Sequence, residues 1–116
     1  MCADIRVLII EDDPFIAMDL EDTLTEAGYA VCGLAGSVTE GLKTLSRSRP
    51  TVATLDYHLG RENSDPIAEA LDEQRIPYVY ISGNSHELGD KAAPVIAKPV
   101  APSAVLRTLG ELVGSP

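Results

Sequence analysis

The sequence is poor in the residues that organise a fold through cross-links or aromatic clusters. It has two cysteines, one phenylalanine and no tryptophan in 116 residues. Cys2 and Cys32 form neither a Cys-x-x-Cys pair nor a metal-ligand spacing, so we expect no disulfide framework and no zinc site. Cysteines used in this way are typical of a reducing compartment, and we therefore expect a cytoplasmic protein.

Long apolar runs and an excess of basic residues are also missing. No stretch approaches the ~18 apolar residues that a membrane helix needs, and the first charge-free apolar run, Val7 to Ile10, is too short for a signal peptide. The chain has 9 Lys and Arg residues against 18 Asp and Glu, which gives a net charge of -9. Because nucleic acid and anionic membranes repel such a chain, we expect neither as a partner, and we expect proteins, metal ions or both.

The apolar residues that are present alternate between strand and helix patterns. With 45% hydrophobic residues and no repeat or linker, the chain predicts one globular domain over residues 1–116, with no output domain. Five apolar segments predict strands: Ile5 to Ile10, Ala30 to Ala35, Val52 to Asp56, Tyr78 to Ile81 and Val95 to Ala97. Four segments predict helices: Pro14 to about Ala27, the residues from the Ser37 cap to Arg49, Asp65 to about Arg75, and Pro102 to Val113.

The helices also carry recognisable ends and apolar faces. Asp13 before Pro14 is an N-terminal cap, and Gly28 is a C-terminal stop. The segment from Ser85 to Ala93 is weakly patterned, so a fourth helix there is short or irregular. The inward-facing residues predicted for the other helices are Phe15, Leu20, Leu24 and Ala27, then Val38, Leu42 and Leu45, then Ile67, Ala70 and Leu71, and finally Val105, Leu106, Leu109 and Leu112.

Alternating strands and helices predict an α/β fold with a doubly wound, five-stranded parallel sheet. Crossovers between parallel strands are right-handed in almost every case, which places helices on both faces of the sheet. The strand order 2-1-3-4-5, a flavodoxin-like arrangement, puts a crevice between the first and third strands. Ligands of such sheets bind at the carboxyl ends of the strands, so the residues at those ends are the candidates for function.

Polar residues follow four of the five predicted strands. Glu11 and Asp12 follow the first, Asp56 ends the third, Ser82 follows the fourth and Lys98 follows the fifth. Taken alone, each has a purely structural interpretation. Glu11 and Asp12 could stabilise a helix N-terminus, Asp56 and Ser82 could be loop and turn residues, and Lys98 could be a solvated surface lysine. The structural interpretations do not explain why all of these polar residues fall at one edge of one sheet, so we expect a functional site there.

The chemistry of such a cluster is narrow. Carboxylates brought together repel one another unless a cation neutralises them, and an oxygen-only set suits Mg²⁺. A metal beside one carboxylate, with a hydroxyl and a lysine opposite, is a site for a phosphoryl group. Asp56 would then be the nucleophile that forms an aspartyl phosphate, while Ser82 and Lys98 bind the phosphoryl oxygens.

These motifs together resemble the receiver domain of bacterial two-component response regulators. They are Ile9 to Pro14, Leu55-Asp56 with Leu59-Gly60, Ile81 to Gly83 and Ala97 to Pro99. The resemblance implies Asp56 as phosphoacceptor, Ser82 as the switch hydroxyl and Lys98 as the phosphoryl-binding lysine. It also implies an Mg²⁺ site formed by Glu11, Asp12, Asp56 and the backbone carbonyl of His58, and a cis peptide bond at Lys98-Pro99.

Two departures separate the sequence from most receivers. Val95 stands where the family usually has a switch Tyr or Phe, and the span from Ser82 to Lys98 is shorter than usual. The stretches around Gly60 and Ser82 resemble an atypical receiver subgroup with a Phe-Ala-Thr-Gly-like motif. We therefore hypothesise that phosphorylation is read through residues 82–93, with Tyr80 as a weaker substitute for the missing aromatic.

The expected function is that of a stand-alone receiver, a signalling phosphoacceptor and not an enzyme. A histidine kinase or histidine phosphotransfer protein would supply the phosphoryl group, and an unidentified target protein would receive the signal. One alternative is a receiver-like interaction module that is never phosphorylated. Another is a metal-dependent hydrolase with an aspartate nucleophile, but such enzymes need a second acid at the position that His58 occupies.

Overall fold

Five parallel strands form the central sheet, in a computed structural model that describes residues 5–83, 88–89 and 91–116. The sheet order is β2-β1-β3-β6-β7, which confirms the doubly wound order predicted from the sequence. In chain order the elements are β1 (Arg6–Ile10), α1 (Pro14–Glu26), β2 (Ala30–Ala35), α2 (Val38–Ser48), β3 (Val52–Asp56), β4 (His58–Leu59), β5 (Glu62–Asn63), α3 (Asp65–Glu73), β6 (Tyr78–Ser82), β7 (Val95–Ala97) and α4 (Pro102–Val113).

The interior strands β1 and β3 organise the core. All five residues of β3 are buried, as expected of a parallel strand covered by helices on both faces. Successive side chains point to opposite faces, so Leu8 and Ile10 join one apolar cluster with α2 and α3. Val7 and Ile9 join a second cluster with α1 and α4 on the other face. The sheet therefore holds two helical layers and leaves its strand ends at the rim.

Local chemistry fixes where the helices begin and end. The Asp13 side chain accepts a hydrogen bond from the Phe15 N–H at 2.9 Å, and Pro14 follows as the first helical residue. The Ser37 hydroxyl accepts from the Glu40 N–H at 3.1 Å in the same way. Both predicted caps are confirmed, and the first of them lies between the end of β1 at Ile10 and the start of α1 at Pro14.

Three of the predicted inward-facing residues are exposed. Phe15 is 77% exposed because it lies about 140° around the helix from buried Leu20, on the opposite face. Ala27 follows the last helical residue, so it does not share the apolar stripe. Leu42 is 38% exposed, and Gly41 takes the buried position beside Ile67 instead.

The segment after β3 contains two short strands that are not predicted from the sequence. β4 and β5 pair as a two-stranded antiparallel hairpin, with His58 opposite Asn63 and Leu59 opposite Glu62. The Ser64 N–H donates to the Tyr57 carbonyl at 2.9 Å and closes the base of the hairpin. Two-residue strands carry too little periodicity to be read from sequence.

The segment between β6 and β7 carries no α-helix in the residues that the structure describes, namely 83, 88–89 and 91–94. The remainder of the predicted short or irregular helix lies outside the described residues, as does Cys2. Cys32 is half-buried against the α2 side of the core. Over the described part of the chain, no helix has the length and apolar character needed to cross a membrane.

Candidate functional site

Four strand ends meet at one rim of the sheet. Glu11 and Asp12 follow β1, Asp56 is the last residue of β3, and Ser82 is the last residue of β6. Lys98 follows β7, and its backbone N–H donates to the Ser82 carbonyl at 2.9 Å. The peptide bond between Lys98 and Pro99 is cis, as the family resemblance implies. The structure thus brings together, from distant segments of the chain, the residues that the sequence predicted to lie at the strand ends.

Three carboxylates form the acidic half of this rim. One carboxylate oxygen from each of Glu11, Asp12 and Asp56 lies within 4.8 Å of the others. Glu11 and Asp56 are buried, whereas Asp12 is exposed at the mouth of the cluster. Charges of one sign this close repel strongly, so the cluster favours a bound cation or a shared proton.

Lys98 supplies the positive charge of the site. Its Nζ lies 3.1 Å from Asp56 Oδ2 and 3.3 Å from Glu11 Oε1, and its side chain is 24% exposed. Burial disfavours the ammonium, but the hydrogen bond and the charge of Asp56 outweigh it and raise the pKa of Lys98. One ammonium against three carboxylates leaves the site net anionic.

Glu11 is the carboxylate that the surroundings satisfy least. Its Oε2 accepts a hydrogen bond from the Asp13 N–H at 3.0 Å. Its Oε1 is buried and has no hydrogen-bond donor among the described residues, because the contact with Lys98 lacks hydrogen-bond geometry. Burial above all, followed by the neighbouring Asp56, raises the pKa of Glu11 to about 7.

Asp12 is held by the hairpin that follows Asp56. The Gly60 N–H donates to Asp12 Oδ2 at 2.9 Å, across 48 positions of sequence. Desolvation raises the pKa of Asp12, but hydrogen bonding, led by the Gly60 N–H, outweighs it and lowers the pKa below its ordinary value. The carboxylate is therefore ionised and oriented. Gly60 matched a family motif in the sequence, but nothing there assigned it this contact.

An aromatic group lies beside the acidic cluster. The Tyr57 ring packs edge-on against Tyr80 at 6.2 Å between centroids, and Tyr80 packs against Tyr78 at 5.5 Å. Lys91 lies 6.0 Å from the centre of the Tyr57 ring and pairs with Asp65 at 3.3 Å. Tyr80 is fully buried, so it is a packed core residue that links the end of β3 to the segment before β7.

Ser82 and His58 occupy different environments at this rim. Ser82 is fully buried at the end of β6 and lies in register with Ala97, one residue before Lys98. His58 is exposed in β4, and its ring packs edge-on against Tyr57 at 5.1 Å. The carboxylate cluster therefore consists of Glu11, Asp12 and Asp56, without the His58 side chain.

The donor set fits a hard divalent cation. All three side chains offer oxygen, one of them is exposed to solvent, and one buried oxygen of Glu11 has no donor among the described residues. Mg²⁺ prefers oxygen ligands, keeps several waters and neutralises a cluster of this kind. With sulfur and imidazole absent from the cluster, Zn²⁺ is a poorer match.

Comparison with known proteins gives one consistent result. A family model described as the response regulator receiver domain matches residues 7–109. The phyllosphere-induced regulator PhyR of Methylorubrum extorquens is 34% identical over 113 residues, which cover 91% of this chain and 42% of that protein. The chemotaxis protein CheY of Thermotoga maritima is 27% identical over 122 residues, which cover 92% of this chain and 96% of that protein.

A solved structure agrees with these matches. The solution structure of SdrG from Sphingomonas melonis Fr1 is 36% identical and superimposes with a TM-score of 0.83, covering 97% of this chain and 99% of SdrG. The first curated relatives are longer proteins, of which this chain spans between 31% and 47%. It spans nearly all of CheY and SdrG.

Proposed function

Because this chain belongs to the response regulator receiver domain family, we propose that it is a stand-alone receiver that accepts a phosphoryl group on Asp56 from a phosphohistidine. Members of this family are signalling phosphoacceptors of two-component systems. The donor would be a histidine kinase or a histidine phosphotransfer protein, and the signal would pass by contact with a target protein. CheY and SdrG, which match almost end to end, support the stand-alone organisation.

The observation that carries the proposal is the position of the Lys98 ammonium. It lies 3.1 Å from Asp56 and 3.3 Å from Glu11, beside three carboxylates that come from two different strands. A structural salt bridge would need one carboxylate, not three. An anionic cluster with one partly buried ammonium is suited to a phosphoryl group whose charge is offset from both sides.

The proposed transfer is a single displacement at phosphorus. An Asp56 carboxylate oxygen forms the new P–O bond, the P–N bond of the phosphohistidine breaks, and its electron pair stays on the imidazole nitrogen. Lys98 pairs with the phosphoryl oxygens and Ser82 donates a hydrogen bond to one of them. Mg²⁺ held by Glu11, Asp12, Asp56 and the His58 carbonyl would supply charge neutralisation.

An exposed apolar patch beside the site suits a protein donor. Phe15 and Met18 on α1 are 77% and 59% exposed, next to the end of β1. A groove of about 440 Å³ runs from Ile16 along α1 to Pro99 and Pro102. Exposed apolar side chains beside a reactive group are typical of a docking face, so we place the phosphohistidine protein there.

The signal would leave the site through Tyr57 and Lys91. Tyr57 follows the phosphoacceptor directly, and Lys91 links its ring to Asp65 at the start of α3. A phosphoryl group adds about −1.5 to −2 charge at pH 7, which redistributes the cations near it. With Val95 in the usual aromatic position, Tyr57 and Lys91 provide an alternative route from the phosphoacceptor to α3.

The test is phosphorylation of the purified protein. Wild type, Asp56→Asn and the control Asp65→Asn are incubated with Mg²⁺ and acetyl phosphate, or with a histidine-phosphorylated partner. We expect a hydroxylamine-labile adduct of one phosphoryl group in wild type and Asp65→Asn but not in Asp56→Asn. No adduct from either donor would refute the proposal and favour a receiver-like module that is not phosphorylated.

A further inference from the structure

The β4–β5 hairpin presents one backbone amide to the acidic cluster. Gly60 and Arg61 form its two-residue loop, and Gly60 alone of the two has a positive φ, of 64°. That combination is a type II′ hairpin turn, which requires glycine at its first central position. The Gly60 N–H then lies outside the pairing between β4 and β5, and it donates to Asp12 Oδ2 at 2.9 Å.

The hairpin is itself held firmly at its other end. Leu59 is 3% exposed and packs in the α2–α3 side of the core. The Ser64 N–H closes the base on the Tyr57 carbonyl at 2.9 Å, one residue after Asp56. The loop amide is thus fixed relative to the phosphoacceptor by covalent continuity and by core packing, and it reaches a carboxylate on the neighbouring strand end.

We infer that Gly60 is a positioning residue for cation binding, and that its N–H orients the Asp12 carboxylate toward the ion shared with Glu11 and Asp56. The amide hydrogen-bonds one Asp12 oxygen, Oδ2, and Oδ1 does not share that bond. The three carboxylate oxygens then lie within 4.8 Å of one another. Groups that hydrogen-bond a metal ligand commonly set its orientation and affinity.

Exposure makes this support necessary. Asp12 is exposed, so solvent alone would leave its side chain several rotamers, whereas Glu11 and Asp56 are fixed by burial. The hairpin converts the one mobile ligand into a fixed one. The turn also requires glycine at position 60, because other residues are strained at its positive φ. The requirement is not one of space, since no atom lies within 4 Å of an added Cβ.

The first experiment needs no metal. Amide hydrogen exchange is measured by NMR in wild type and in Asp12→Ala, both in EDTA. We expect the Gly60 amide to exchange at least about tenfold faster in Asp12→Ala, while the Ser64 amide at the hairpin base keeps its rate. An unchanged Gly60 rate would show that Asp12 does not hold this amide, and the inference would be overturned.

The second experiment measures Mg²⁺ affinity by calorimetry. Gly60→Ala keeps open space around the new methyl group but disfavours the positive φ, so we expect about tenfold weaker Mg²⁺ binding. Gly114→Ala is the matched control, because Gly114 has a φ of 85° and open space at the far end of the chain. Equal affinities in the two variants would also overturn the inference.

The inference rests on the proposed function only for the identity of the ion, and the two can fail separately. Weaker Mg²⁺ binding in Gly60→Ala, in a protein that forms no phosphoryl adduct, would support the positioning role and refute the phosphoacceptor role. If wild type binds no Mg²⁺, the metal part of the proposed function and the positioning role of Gly60 both fail, and the exchange rate of the Gly60 amide then reports only its contact with Asp12.

Discussion

Removing the charge of Asp56 should stabilise the metal-free protein at alkaline pH. Asp56 lies within 4.8 Å of an oxygen of Glu11 and of Asp12, which costs at least about 3 kcal/mol for each pair at an effective dielectric constant of about 20. Its attraction to Lys98 at 3.1 Å offsets about 5 kcal/mol of that repulsion. We therefore expect Asp56→Asn to raise the free energy of unfolding at pH 8 by about 1 to 2 kcal/mol, or Tm by about 5 to 10 °C.

The effect of Asp56→Asn on the free energy of unfolding should change sign at acidic pH. Burial and Asp56 raise the pKa of Glu11 to about 7, so at pH 5 Glu11 is protonated in the folded state and one of the two repulsions is gone. The attraction to Lys98 then exceeds the remaining repulsion with Asp12. At pH 5 we expect Asp56→Asn to lower the free energy of unfolding by about 1 to 2 kcal/mol.

Urea unfolding followed by circular dichroism, in EDTA at pH 5 and pH 8, measures both values. Asp22→Asn removes an exposed carboxylate on α1 and controls for the general effect of reducing a net charge of -9. Saturating Mg²⁺ should reverse the order at pH 8, because wild type gains about 2.7 kcal/mol at a hundredfold excess over Kd while the variant has lost a ligand. A variant that is less stable than wild type in EDTA at pH 8 would refute the electrostatic reasoning.

Three further predictions concern stability. Between pH 4.5 and about 7 the folded state keeps a proton on Glu11 that the unfolded state releases, so the stability of metal-free wild type should fall by up to about 3 kcal/mol as pH rises through this range. Glu11→Gln should remove this pH dependence, and an unchanged profile in urea titrations would contradict the prediction. Thr54→Val should raise Tm by a few degrees, ~1 kcal/mol, because the buried Thr54 hydroxyl has no partner in the described part of the chain; a lower Tm would show a hidden bond. Gly110→Ala should stabilise α4 by about 0.5 to 1 kcal/mol. Gly41→Ala should destabilise α2, since its methyl would lie 2.5 Å from Ile67 Cδ1. Thermal melts that rank the two variants the other way would count against the packing argument.

The sequence predicted the sheet and the site because both follow from strong local signals. Apolar runs such as Val52 to Asp56 have the length of a strand and are too short for a helix, and parallel topology brings their ends to one rim. Glu11 and Lys98 could therefore be placed near Asp56 although they are far apart in sequence. Their functional roles remain predictions, because geometry shows proximity and not reaction.

The missed features depend on tertiary geometry that local patterns do not encode. The exposure of Phe15 follows from which face of α1 meets the sheet, and an apolar residue at a helix start carries no information on that point. The contact between Gly60 and Asp12 joins a two-residue turn to a strand end 48 positions away. Neither the turn type nor the register of such a short hairpin has a sequence signal long enough to read.

Lys98 is held less firmly than the three carboxylates of the site, because it follows β7. β7 has three residues and lies at the edge of the sheet, whereas the carboxylates follow or end the interior strands β1 and β3. A fluctuation that peels β7 from β6 carries the ammonium away and leaves the anions behind. Fraying therefore separates Lys98 from the carboxylates and loses their attraction, and the abundance of the frayed form should rise when the anions are protonated or bound by a cation, because the closed form then lacks that attraction as well.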